Sequence, residues 1–434
     1  MQAHTFPDAA VARRATVALM VAYLFSYVDR QILSMLVGPI RADLLLTDTE
    51  VSLLHGLAFA ICYTVLGVWP IGRWADTGNR RNIVAGGIFL WSLMTALCGR
   101  ATSYFGLFAA RVGVGIGEAA LTPTAYSMIA DLYPPRQRST ALALFSMGIY
   151  FGIGVAVMIT GALVAVIAAA GSLHLPILGE VRPWQVPFLI LGPLGILVAV
   201  WMLRIPEPAR QPTAIAASGF GDVVALMWRD RRFYLSHTLG VSMLTLVFNG
   251  VAFWIPAHFM RVHGFTALEV AFSFGPIILV AGSAGIMAGG VLADRWRSEG
   301  RQDAEMRIVI LGAIALAPLV AATFLSRDPA VAVALLVPML FFSSFPFAAA
   351  SAAMQLVTPG PFRARASALY LLVINLTGIG FGATAMSLVS DFVLKDEQRI
   401  GDGVTAVTLI AAPLAVLLLW FGLSRYRQLA ESGR

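Results

Sequence analysis

The chain has 434 residues, 59% of them apolar and 12% charged, with a net charge of +7. A soluble domain carries about 25% charged residues, so an ordinary soluble enzyme or binding domain is excluded. The two cysteines, Cys62 and Cys98, lie inside apolar runs and offer neither a disulfide framework nor zinc-ligand spacing. With no Gly-x-x-x-x-Gly-Lys stretch to cradle a nucleotide phosphate, no cofactor, metal or ATP drive is expected.

The polar start, Met1 to Thr16, places Arg13 and Arg14 just ahead of the first apolar run, and further runs follow directly. This reads as a retained first helix rather than a cleaved signal peptide. Twelve apolar runs are present, roughly 16–38, 51–72, 82–100, 104–130, 139–168, 186–203, 233–257, 268–292, 307–325, 331–354, 364–390 and 404–423. A bilayer core of about 30 Å takes about 20 apolar residues per helix. Backbone groups in lipid need internal partners, which only helices and closed barrels supply. Runs such as "VAVALLVPML" do not alternate as barrel strands do. The expected fold class is an all-α membrane protein with twelve transmembrane helices.

Counting Arg and Lys by loop orients these spans. Of the 30 basic residues, 21 fall in the two termini and the loops on the same side as them. Seven fall on the opposite side: Arg41, Arg100, Arg182, Arg261, Arg327, Lys395 and Arg399. The bias places both termini in the cytoplasm of a multi-pass inner-membrane protein, and accounts for the positive charge without a nucleic-acid partner.

The sequence repeats itself. "GRWAD" closes the second span with Gly72 and Asp76, and "GGVLAD" closes the eighth with Gly290 and Asp294, half a chain later. "RQRSTALAL" from Arg136 is echoed by "RARASALYL" from Arg363. Two pseudo-symmetric six-helix bundles are expected, 1–203 and 233–434, joined by a Pro-, Ala- and Arg-rich cytoplasmic linker over 204–232. Two like halves meeting along a midplane cavity is a common transporter plan.

Certain stretches carry a family resemblance. Gly72 to Asp76 followed by Arg80 and Arg81 resembles the major facilitator loop signature G-x-x-x-D-R-x-G-R-R, with Thr77 and Asn79 departing from it. "RVGVGIG" from Arg111 resembles that superfamily's fourth-helix motif. "YVDRQILSMLVGPIRADL" and "GVGIGEAALTPTAYSMIADLYPPRQR" are similar to the bacterial spinster-like group of sphingolipid and lysolipid transporters. The resemblance implies a secondary carrier working by alternating access, with a lysophospholipid or sphingoid-type lipid as substrate. It also implies an inner latch built from Gly72, Asp76, Arg80, Arg81, Asp131 and Asp294, in which Arg80 or Arg81 reaches Asp131.

The chemistry concentrates in four ionisable residues inside spans: Asp29, Arg30, Arg111 and Glu118. A charge at the bilayer centre costs about 2.5–3.5 kcal/mol on insertion scales, so such groups face the interior and pair. Arg111 and Glu118 are two turns apart on nearly one face, separated by about 10 Å. Asp29 and Arg30 are adjacent and point about 100° apart. The four charges sum to zero, and a buried ionic lock between the first and fourth spans would also explain them. The functional reading makes Asp29 and Glu118 proton carriers, since burial disfavours and a neighbouring Arg favours the charged carboxylate. Arg30 and Arg111 then bind an anionic headgroup through their planar forks. One proton crossing 100 mV supplies about 2.3 kcal/mol.

The C-terminal half carries no ionisable residue at comparable depth. It offers Asn249, Phe253 and Trp254 in the seventh span, an aromatic cluster including Phe345 in the tenth, and Tyr370 and Asn375 in the eleventh. A charged half facing an uncharged aromatic half suits an amphipathic molecule with an anionic head and an apolar tail. Gly148, Gly152 and Gly154 in the fifth span form a small-residue face for close helix packing. The partners expected are protons, that amphipathic molecule and membrane lipids, with the chain acting as a monomer. An exporter or symporter of small organic anions or drugs is the alternative within carriers, and a non-transporting membrane sensor the alternative outside them. No nucleophile–base set appears, so the chain is not read as an enzyme.

Overall fold

The structure is a computed structural model that describes residues 6–66, 71, 74, 77–170, 173–175, 179–210 and 220–432. It is almost wholly helical, and eleven described helices are long and apolar enough to cross a membrane. The expected second span, 51–72, is described only in part, through α2 (Asp48–His55) and α3 (Leu57–Leu66).

The chain divides into two compact units, Met1–Thr213 with Phe265–Gly275, and Ala214–Gly264 with Pro276–Arg434. The first holds α1 (Ala9–Leu44), α2, α3, α4 (Arg80–Cys98), α5 (Tyr104–Glu118), α6 (Leu121–Leu132), α7 (Pro135–Ala170) and α8 (Val186–Met202). The second holds α9 (Phe220–Arg229), α10 (Arg231–Val262), α12 (Ser283–Ser298), α13 (Ala304–Leu325), α14 (Pro329–Ser344), α15 (Pro346–Val357), α16 (Gly360–Leu388) and α17 (Ile400–Glu431). Helix α11 (Ala267–Ile277) contributes to both. In the first unit α1 packs on α7, and α4 on α5 and α8; in the second α10 packs on α16, and α13 on α14 and α17. Each unit thus pairs its first span with its fifth and its third with its sixth, the spatial form of the sequence repeat.

Local chemistry sets the helix ends. Thr47 and Glu50 form a reciprocal capping box at the start of α2, and Asn79 and Ser103 cap α4 and α5 through side-chain oxygens. The fourth span is broken after Glu118. Pro123 has no N–H for the Ala119 carbonyl, and the chain tightens there, with Ala120 N bonded to Gly117 O at 3.3 Å. Pro346 similarly divides the tenth span into α14 and α15. Gly152 on α7 lies so near α1 that a Cβ would sit 2.5 Å from Tyr27 Cβ and 2.7 Å from the Leu24 carbonyl, which is the close packing expected of that glycine face.

Two features depart from expectation. A two-stranded antiparallel hairpin, Leu173–Leu175 with Gly179–Val181, lies between α7 and α8. The stretch read as a linker ends in a helix, α9, because its apolar residues Val223 and Leu226 recur at a helical spacing and are buried.

Candidate transport site

Asp29 and Arg30 lie past the middle of α1, while Arg111 and Glu118 project from α5. All four are buried, Arg111 and Glu118 to 0% and 1% exposure. They pair crosswise. Arg30 Nε donates to Glu118 Oε2 at 2.6 Å, and Ser26 Oγ donates to the same oxygen at 2.5 Å. Arg111 Nη1 donates to Asp29 Oδ1 at 3.4 Å and, at the same distance, to the Asp29 carbonyl. The other Asp29 oxygen accepts from Thr95 Oγ1. That hydroxyl also lies 2.9 Å from the Trp91 carbonyl, and its single proton serves one acceptor at a time.

The two pairs differ in strength. A charge-assisted N–H···O bond is normally about 2.7–2.9 Å, so Arg30–Glu118 is tight and Arg111–Asp29 is loose. Arg30 is further held by rings: its guanidinium carbon lies 4.4 Å from the Phe59 centroid, 4.6 Å from Tyr63 and 4.9 Å from Tyr27, all within cation–π range. Two polar atoms of the site make no hydrogen bond among the described residues, Arg111 Nη2 and Glu118 Oε1. One is a charged donor and the other a carboxylate acceptor.

The remaining candidates lie in the second unit. Asn249 is half-buried and donates to the Thr245 carbonyl at 2.8 Å; Asn375 is half-buried on α16. Phe253 and Trp254 are fully buried, packed edge-on at 4.9 Å, with Trp254 Nε1 donating to the Ala383 carbonyl. Phe345 sits at the α14–α15 break against Phe341 and Phe342. Tyr370 stacks on His237 at 5.5 Å, and His237 stacks in turn on Phe233. Reading by charge passed over His237, a lone histidine in an apolar run.

At the polar end of the first unit, Arg80 is 1% exposed. It bonds Asp131, Ser127, Glu207 and the Pro208 carbonyl. The arginine that reaches Asp131 is therefore Arg80; the Arg81 backbone N–H goes to Glu207 at 2.8 Å. Glu207 escaped notice because its Pro-flanked surroundings read as linker. Gly72 and Asp76 lie outside the described residues, and Asp294 is exposed on α12. At the polar end of the second unit Arg297 bonds Glu305 and Tyr426, with Tyr426 Oη donating to Glu305 at 2.8 Å.

Paired charges at depth within a repeated helical bundle are the architecture of a solute carrier. The profile of the Major Facilitator Superfamily matches residues 19–383. An MFS-type efflux pump of Mycolicibacterium smegmatis is 30% identical over 423 residues, covering 96% of this chain and 94% of that one. Protein spinster homolog 1 of Xenopus tropicalis is 28% identical over 338 residues, covering 73% of this chain and 61% of its own length. The crystal structure of a bacterial homolog to the human lysosomal transporter Spinster, inward-facing and occupied, matches with a TM-score of 0.76 at 25% identity over 98% of both chains. The chain belongs to the Major Facilitator Superfamily and is a multi-pass membrane transporter rather than an enzyme. Within that superfamily it is spinster-like.

Proposed function

We propose that the chain is a proton-coupled secondary carrier of an amphipathic anion, of the lysophospholipid or sphingoid type. The observation that carries this is the pair of open atoms in the buried site. Glu118 Oε1 is placed to take a proton while Oε2 stays on Arg30, and Arg111 Nη2 is placed to donate to an anionic headgroup. Protonating Glu118 weakens its hold on Arg30; an incoming anion competes with Asp29 for Arg111, whose bond is already long. Proton and substrate thereby act on the same pairs of α1 and α5, which is what coupling requires. The spinster relatives support a lipid, and the half-buried Asn249 and Asn375 with Phe345 and Tyr370 would supply the uncharged share of the site. Arg80, Asp131 and Glu207 act as the inner latch, with Asp294 its counterpart, and the basic-residue bias puts them and both termini in the cytoplasm of an inner membrane. The carrier works by alternating access, as a monomer.

A second reading, a small organic anion or drug as substrate, is favoured by other relatives. The probable L-galactonate transporter of Escherichia coli is 25% identical over 306 residues, and the M. smegmatis relative is described as an efflux pump. Uptake into proteoliposomes of the full-length protein, across a panel of lysolipids and sugar acids with and without a pH gradient, tests both. Gradient-dependent accumulation of lysolipids is the expected result. Accumulation of sugar acids alone would give the second reading, and transport indifferent to the gradient would remove proton coupling.

A further inference from the structure

Thr95 stands where α4 meets the buried charges. It is as deeply buried as Asp29, and so is Trp91 one turn before it. Its hydroxyl has two acceptors, Asp29 Oδ2 on α1 and the Trp91 carbonyl of its own helix at 2.9 Å. The bond to Trp91 is the common back-bond of a helical hydroxyl to the residue four before it. The bond to Asp29 crosses between helices, and among the described residues Thr95 alone bonds Oδ2.

The two oxygens of Asp29 face different chemistry. Oδ1 faces Arg111 Nη1 at 3.4 Å. A guanidinium has five donors and no acceptor, so a proton on Oδ1 would point at another donor. Oδ2 faces a hydroxyl, which donates one proton and accepts through two lone pairs. Turning the Thr95 O–H to the Trp91 carbonyl frees a lone pair toward Asp29, and a protonated Oδ2 can then donate to Thr95 Oγ1. No heavy atom has to move. The Thr95 proton stays on Oγ1 throughout, and the one O–H bond formed is on Oδ2, with a proton from water. The carboxyl is hydrogen-bonded in both its forms, so neither carries the penalty of an unbonded buried group.

The other carboxylate has no such partner. Ser26 Oγ donates to Glu118 Oε2 and makes no other hydrogen bond among the described residues, and Arg30 Nε holds the same oxygen. The charged groups acting on Asp29 are Arg111 and Glu118 on α5 and Arg30 beside it on α1. The Cys98 thiol, fully buried one turn beyond Thr95, also faces it, and His55 at the end of α2 faces Arg111 and Arg30.

We infer that Thr95 is a positioning residue for the proton step: its hydroxyl reverses direction so that Asp29 takes the proton on Oδ2 with the contact to α4 unbroken. The inference rests on the proton-coupled reading of this site and names the atom and the partner that serve it.

Infrared difference spectroscopy of the full-length protein in proteoliposomes, stepped in pH without substrate, tests it. The readout is the C=O stretch of a protonated carboxyl group. The parent protein is expected to show a component that is absent from Asp29→Asn. Thr95→Val keeps the side-chain shape and removes the hydroxyl. It takes a charge-assisted bond from ionised Asp29 but a neutral one from the protonated form. The variant should therefore favour protonation about ten-fold and raise the midpoint of that component by about one pH unit. Thr95→Ser should restore the parent midpoint, whereas a merely structural Thr95 would lower the melting temperature of Thr95→Val and leave the midpoint in place. Should Thr95→Val fail to fold, Thr95→Ala carries the same test. An Asp29 component unmoved by loss of the hydroxyl would overturn the role of Thr95 and leave proton coupling standing. So would a component lost in Glu118→Gln instead of Asp29→Asn. No component dependent on either carboxylate at any pH would remove proton coupling and this inference together.

Discussion

Arg30 and Glu118, 88 residues apart in sequence, meet at 2.6 Å inside the first unit, and Glu118 is the last residue of its helix. The carboxylate therefore sits at the joint between α5 and α6 that Pro123 creates. A small change of angle at that joint alters the pair without moving the rest of α5.

Coupling is expected to rest on the two carboxylates. Asp29→Asn and Glu118→Gln keep side-chain volume, so both should fold. At least one should abolish pH-driven accumulation while substrate counterflow persists. Full proton-driven accumulation in both variants would leave the four charges as a structural lock.

The loose arm of the site should bind the anion. Losing a charge-assisted hydrogen bond costs about 1.5–3 kcal/mol, or roughly ten- to hundred-fold in affinity. Arg111→Lys keeps the charge and loses the fork, whereas Arg111→Ala also strands Asp29 and mixes binding with stability. Arg111→Lys should remain folded and bind an anionic lysolipid at least ten-fold more weakly, with a smaller loss for Arg30→Lys. Isothermal titration of the purified variants measures this, and parent-like affinity in Arg111→Lys would place the headgroup elsewhere.

Arg80 and Arg81 are adjacent, but their burial separates them. Removing one partner of a buried ion pair costs about 3–5 kcal/mol. Asp131 and Glu207 retain some contact with water, so Arg80→Ala should fall at the low end of that range. Arg81→Ala leaves its backbone bond to Glu207 intact and should stay within about 0.5 kcal/mol of the parent. Thermal unfolding in detergent should show a large drop for the first variant only; equal drops would mean the corner is held otherwise.

Acid should weaken the polar end of the second unit. Asp303 lies between α12 and α13 and accepts from Arg307 Nε at 2.8 Å and Arg427 Nε at 3.1 Å. Burial pushes its carboxyl up, but the two guanidiniums outweigh that and hold it below its ordinary value. A lowered folded-state value contributes stability above the ordinary carboxylate range, and the contribution is lost as pH falls through the folded-state value. Asp303→Asn should thus melt below the parent at neutral pH, and the gap should close on acidification. A gap independent of pH would assign the loss to packing rather than charge.

The spans and the four buried charges were legible because hydropathy and insertion cost act residue by residue. The pairing was not. Helical spacing places Arg111 and Glu118 on one face, but the partner of each depends on the register of α5 against α1, which no periodicity within either helix records. Ser26 and Thr95 left no signal, since small hydroxyls are common in membrane helices. Phe253 and Trp254 looked like lining residues by type, yet they are fully buried, with the Trp254 indole bonded to the Ala383 carbonyl. Glu207 could have been found by asking which acid lies at the end of the sixth span, where the repeat places Tyr426 in the other unit.

The crosswise pairs also bear on how the protein is made. Helix α1 is among the least apolar of the described spans, and it carries two charges that each cost about 2.5–3.5 kcal/mol at mid-bilayer. Their partners lie 82 and 88 residues further along the chain, so at about 5–20 residues per second they are synthesised several seconds later. During that interval the first helix has no counter-ions from the fourth span. The full compensation of those two charges arrives only with α5, so the first helix gains its pairing energy late in the making of the N-terminal bundle.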